Sequence, residues 1–178
     1  MRHLVTAILH EHLERLVTVT SQILVTLARG WPLVLGLALG GVWFQCHYAV
    51  GINCSPSLPY HAFLIHKGEA ANKGEFVAFR WAGGGPYPAG VTFVKQLAGV
   101  PGDIVSREDR TFAINGWPVG VAKVKSRQGV PLEPGPTGRL PAGRYYVRAP
   151  HADSLDSRYA LTGWISEGQL IGRAHVLF

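Results

Sequence analysis

Charge is scarce in this chain, and from Trp31 to His66 it is absent: no Lys, Arg, Asp or Glu interrupts that run. Only 16% of residues are charged, against 47% that are hydrophobic. The net charge of +6 reflects few acids (11) as much as many bases (17), and the bases are scattered. Scattered cations build no phosphate-tracking stripe, which argues against nucleic acid as a partner; attraction to anionic lipid headgroups fits better. Cysteine is nearly missing. Cys46 and Cys54 are the only two and form no CxxC pair, so a structural zinc site has no support. They are read as free thiols, with a Cys46–Cys54 disulfide as the alternative in an oxidising compartment.

Other absences narrow the chemistry. His10-Glu11-His12 lacks the i,i+4 histidine spacing of a zinc-protease helix. Gly83-Gly84-Gly85 is not followed by Lys-Ser/Thr, so it makes no phosphate loop. No metal and no cofactor is expected. No obvious Ser-His-Asp arrangement is present, and a Ser-His mechanism through His61 or His66 is the weaker alternative to the one below.

What is present begins with a membrane signature. Trp31–Val50 is almost wholly apolar, glycine or aromatic. As a helix it spans about 30 Å, the thickness of a bilayer's hydrocarbon core. The reading is therefore a transmembrane helix over 31–50, with residues 1–30 forming an amphipathic helix that lies at the cytoplasmic interface. Arg2, Arg15 and Arg29 precede the span, and no cation follows until Lys67. The positive-inside rule then puts the N-terminus in the cytoplasm and residues 51–178 outside, on a single-pass protein.

The remainder reads as short strands rich in turns, with 22 Gly and 12 Pro in the chain. Candidates are 76–81, 91–97, 103–107, 111–114, 118–125, 144–148 and 172–177, with Asn115-Gly116 as a hairpin turn. The fold class is mainly β, a barrel-like domain over 51–178 on an N-terminal membrane helix.

Two segments carry the chemistry. Ser57 lies in Ser55-Pro56-Ser57-Leu58-Pro59, at most about 25 Å along the chain from the span. Lys95 stands alone on the apolar strand Val91–Leu97, ahead of Gly99-Val100-Pro101-Gly102-Asp103. If that lysine faces inward, desolvation lowers its pKa, and the neutral amine can take a proton from a serine hydroxyl. If it faces outward, it is an ordinary solvated lysine. A third segment, Ser154-Leu155-Asp156-Ser157-Arg158-Tyr159, offers an Asp-Arg pair and a serine able to hydrogen-bond the amine. The charge-free stretch Leu58–Ile65 is read as dipping into the membrane interface beside Ser57.

Together the three segments resemble the signal peptidase I family of membrane serine–lysine peptidases. The matching pieces are Ser-x-Pro after an anchor, Lys-x-x-x-Gly-x-Pro-Gly-Asp and Asp-Ser-Arg-Tyr, in that order. Asn53–Pro59 and Pro150–Tyr159 look most like the TraF-type conjugative-transfer branch, which processes pilins. The resemblance implies a barrel-like signal-peptidase-type fold, with Ser57 as nucleophile and Lys95 as general base. It implies an oxyanion hole from the Ser57 amide and the Ser55 hydroxyl, with Ser154 orienting Lys95 and Asp156 supporting the site through Arg158. It further implies a bacterial inner-membrane location, a periplasmic catalytic domain, and a membrane-tethered precursor as partner in the lipid bilayer. That precursor is a propilin of a type IV secretion system, or alternatively a general secreted preprotein. Pilin cyclisation by aminolysis is a further possibility of that branch. A non-catalytic assembly partner is the remaining alternative.

Overall fold

The structure, a computed structural model, describes residues 2–178, with side chains from His12 onward. His10 and Glu11 therefore lie outside the described side chains. The chain divides into two compact units, Met1–Gln45 and Cys46–Phe178.

The first unit is helical. Helix α1 runs from Arg2 to His47 without interruption and carries Pro32 inside it. This differs from the expected division at residue 30. Gly30 and Pro32 look like a break, yet a proline's fixed φ is itself helical, and its cost inside a helix is largely one lost hydrogen bond and local crowding. Polar side chains in the first half bond back to the helix: Thr18 Oγ1 donates to Glu14 O at 2.8 Å and Thr26 Oγ1 to Gln22 O at 2.8 Å. Such back-bonding satisfies a hydroxyl without water. His12–His47 is long and apolar enough to cross a membrane.

Residues 48–50, expected in the span, instead lie in the first strand of the second unit. Strands β1 (Tyr48–Ile52) and β2 (Ala62–Lys67) pair antiparallel. They join β3 (Phe76–Arg80), β4 (Thr92–Gly99), β9 (Arg144–Arg148), β10 (Ile165–Ser166) and β11 (Leu170–Val176). The seven strands are ordered β1-β2-β11-β3-β4-β9-β10. A second sheet, ordered β7-β6-β5-β8, contains β5 (Ile104–Glu108), β6 (Thr111–Ile114), β7 (Trp117–Val121) and β8 (Gly138–Arg139). The domain is mainly β, as the strand pattern indicates.

The large sheet buries apolar side chains in two separate clusters. Phe63, Ile65, Ala78 and Ala174 belong to one cluster, Val77, Phe79, Leu97 and Val147 to another. Two-sided burial explains why Phe76-Val77-Ala78-Phe79 reads as a continuous apolar run. The small sheet packs through Val105, Phe112, Ile114 and Leu140. Its β6–β7 hairpin turns at Asn115 (φ 50°) and Gly116 (φ 83°), the paired positive values a two-residue turn requires.

One expectation is corrected here. Leu58, Phe63 and Ile65 do not face lipid; they are 4%, 0% and 2% exposed within the domain core. The run lacks charge because β2 lies between β1 and β11 and packs into that core.

Candidate active site

Ser57 sits in the turn between β1 and β2 and is 7% exposed. Its Oγ lies 2.8 Å from Ser55 Oγ. Asn53 shapes this turn. Its Oδ1 accepts from Ser55 N (3.1 Å) and Ser55 Oγ (3.0 Å), while its Nδ2 donates to Leu58 O (3.1 Å) and Tyr60 O (2.8 Å).

Lys95 occupies β4, opposite Val77 of β3. Alternation along β4 puts Phe93, Lys95 and Leu97 on one face, and that face is turned inward, before a register shift at Leu97–Gly99. Lys95 is 5% exposed, with Nζ 5.7 Å from the Phe93 ring centroid. Burial pulls its pKa down to about 8; the Asp156 carboxylate opposes this and Arg158 reinforces it. The amine donates to Ser154 Oγ at 2.9 Å.

The remainder of the lysine motif builds the corner between the two sheets. A Cβ at Gly99 would stand 2.9 Å from Leu140 and 3.0 Å from Tyr146, so the position admits only glycine without repacking. Asp103 Oδ2 accepts from Val100 N at 2.9 Å, and Oδ1 from Asn115 Nδ2 at 2.7 Å.

The third segment docks on β9. Ser157 Oγ accepts from Val147 N at 3.0 Å. Asp156, fully buried, takes Arg158 Nε on Oδ1 and Arg158 Nη2 on Oδ2, each at 2.8 Å. Its Oδ2 also accepts from Ala149 N at 3.0 Å. Arg158, 3% exposed, donates onward to His151 O (3.1 Å) and Val121 O (3.2 Å). One buried ion pair thus ties β7 and the loop before Ser154 into a single body.

Ser55, Ser57, Lys95 and Ser154 line one cavity of about 1260 Å³. Asp156 and Arg158 support it from behind. His66 is engaged elsewhere, with Nδ1 2.7 Å from Glu69 Oε2 and its ring stacked on Tyr48. Cys46 and Cys54 are free and exposed. Sequence reasoning gave no separate role to Asn53 or Phe93. Asn53 carried a usable signal, because an Asn two residues before a Ser favours a side-chain turn onto the backbone. Phe93 carried one too, at i−2 from Lys95 on the same strand face.

A family model described as signal peptidase, peptidase S26, matches residues 22–178. The chain belongs to this signal peptidase family. Signal peptidase I T of Bacillus subtilis (strain 168) is 34% identical over 97 residues, which cover 49% of each protein. The chain thus matches about half the length of that curated relative. The crystal structure of a signal peptidase I from Enterococcus faecalis V583 aligns over 62% of this chain and 98% of its own, at 22% identity and a TM-score of 0.39. In this signal peptidase family member the three matched segments are the ones that meet around the cavity.

Proposed function

We propose that this chain is a membrane-anchored serine endopeptidase in which Ser57 is the nucleophile and Lys95 the general base. The observation that carries the reading is Lys95: a buried amine, its pKa drawn toward neutrality, held by Ser154 in the cavity that also holds Ser57. Ser154 accepts one N–H and so steers the amine's lone pair. Ser57 Oγ rotates off Ser55, gives its proton to Lys95 and attacks the scissile carbonyl. The Ser57 amide and the Ser55 hydroxyl stabilise the oxyanion, a contribution of about 3–4 kcal/mol per donor in comparable sites. Lys95 then returns the proton to the leaving amine. The acyl-enzyme is resolved by water, or by a peptide amine if one reaches it first.

The substrate is a precursor tethered to the bacterial inner membrane and cut on the periplasmic side. The apolar helix and the cations Arg15 and Arg29 ahead of the span support this orientation. Within that class we favour a propilin of a conjugative transfer system, because Asn53–Pro59 and Pro150–Tyr159 resemble that branch. The likeness to signal peptidase I T favours a general preprotein instead. Co-expression with each kind of precursor, read by intact mass for wild type, Ser57→Ala and Lys95→Ala, tests both. The product mass disappears in both variants if the dyad is right. Full processing by both variants overturns it.

A further inference from the structure

The hydrogen bonds around Ser55 have only one consistent direction. Asn53 Nδ2 faces two carbonyl oxygens, Leu58 O and Tyr60 O, which only accept. Its Oδ1 must then be the atom that takes Ser55 N–H, and the orientation of the amide is fixed. Ser55 Oγ also reaches that Oδ1, at 3.0 Å. Oδ1 has no proton to give, so the Ser55 hydroxyl spends its single proton there. The 2.8 Å contact between the two serines is therefore Ser57 O–H donating to Ser55 Oγ. A relay results, Ser57 to Ser55 to Asn53. In it neither hydroxyl is set for catalysis: the Ser57 proton is given to Ser55, and the Ser55 proton is given to Asn53.

We infer that Asn53 is a positioning residue that parks the Ser55 hydroxyl and fixes the arc through which it turns onto the oxyanion. This rests on the reading of Ser57 as nucleophile and Ser55 as oxyanion donor. Asn53 is well placed to do so. Its side chain joins the two ends of the serine turn, and its own N–H donates to His61 O at 2.8 Å. A neutral amide oxygen is a weaker acceptor than a developing oxyanion, since charge-assisted hydrogen bonds are roughly twice as strong. Parking is thus released only when the tetrahedral intermediate forms. Ser57 gives up its bond to Ser55 as it turns toward Lys95, while the Ser55 hydroxyl stays on Asn53 until the oxyanion forms. Without Asn53, Ser55 Oγ loses the partner that locates it, and displacement of about 1 Å at a reacting group is costly.

The test is a double-mutant cycle on the full chain in detergent. The probe is a quenched fluorogenic peptide carrying an Ala-x-Ala cleavage site. Asn53→Ala is expected to lower kcat about ten-fold or more with little change in KM, because the interaction matters only in the transition state. In the Ser55→Ala background the same change is expected to cost under about two-fold, because residues acting through one another do not add. If the two losses multiply, Asn53 acts only as a structural brace and the inference falls. Should Asn53→Ala not fold, Asn53→Gln takes its place. It keeps an amide donor for the carbonyls of Leu58 and Tyr60 but carries the amide one methylene away from Ser55, and it again lowers kcat only when Ser55 is present. Ser57→Ala is run beside these. If it cleaves as fast as wild type, or if wild type leaves the peptide intact, the peptidase reading falls. If it is inactive and the cycle is additive, only the role of Asn53 is lost.

Discussion

Lys95 Nζ donates to Ser154 Oγ at 2.9 Å, across 59 residues of sequence and inside a buried site. In the proposed dyad, catalysis depends on what that contact does to the amine, and the consequences are measurable.

The pH profile should follow Lys95. With its pKa at about 8, the amine is mostly protonated below that value and inactive as a base. Activity (kcat/KM) on a fixed peptide should rise about ten-fold per pH unit below 8 and level off above it. A profile flat from pH 5 to 9 would exclude Lys95 as the base.

Stability should carry the opposite mark of the same group. Lys95 titrates at about 8 in the fold and near 10.5 when unfolded. Between those values the unfolded chain binds more protons, so stability rises with pH across that window. Below pH 8 the burden is fully present, of order 3 kcal/mol. Lys95→Met fills the same space without charge. It should abolish turnover yet raise the denaturant midpoint at pH 7, even after loss of the Ser154 bond at roughly 1 kcal/mol. A lowered midpoint would mean that the lysine pays its own way in the fold.

Ser154→Ala separates orientation from electrostatics. An acceptor oxygen stabilises the ammonium more than the neutral amine, so its removal should move the activity midpoint below 8. Turnover at pH 9, where the amine is neutral in either case, should still fall by about ten-fold or more, because the lone pair is no longer aimed. A midpoint that rises would contradict the hydrogen bond as described.

Asp156 and Arg158 should behave as a unit. Removing Asp156 alone strands a guanidinium that is 3% exposed. The expected loss is about 3–5 kcal/mol, read by urea unfolding in detergent. Asp156→Leu with Arg158→Met removes both charges and should recover much of that loss. Equal damage from the single and double replacements would show that the neighbouring backbone bonds, and not the charge pair, hold the site.

Legibility in the sequence varied with how local the cause was. Strands 111–114 and 144–148 and the Asn115-Gly116 turn follow from short-range chemistry and fall where the pattern puts them. The inward face of Lys95 was left open by the sequence, because β4 carries apolar side chains on both faces, Phe93 and Leu97 on one and Val94 on the other. Strand β2 was hidden because a strand buried among other strands lacks charge for the same reason a membrane segment does, and β1, an edge strand with Val50 and Ile52 exposed, reads as a continuation of the apolar helix. Phe63 and Ile65 therefore read as lipid-facing. Partnerships such as Lys95 with Ser154 have no local signature: the third segment offered a serine able to bond the amine, and the family resemblance singled out the pairing. Asn53 was quoted as part of a motif, but its role needed the positions of the carbonyls at 58 and 60.

The place of β11 sets an order of events. Strand β11 lies between β2 and β3, and those two have no other bridge in the sheet. Ser57 hangs from the β1–β2 side and Lys95 from the β3–β4 side, so residues 170–176 join the two halves of the proposed dyad. They follow Ser57, Lys95 and Ser154 in the chain. Until that long-range strand inserts, a slow class of contact, the two residues stand in halves of the sheet that no backbone ladder joins.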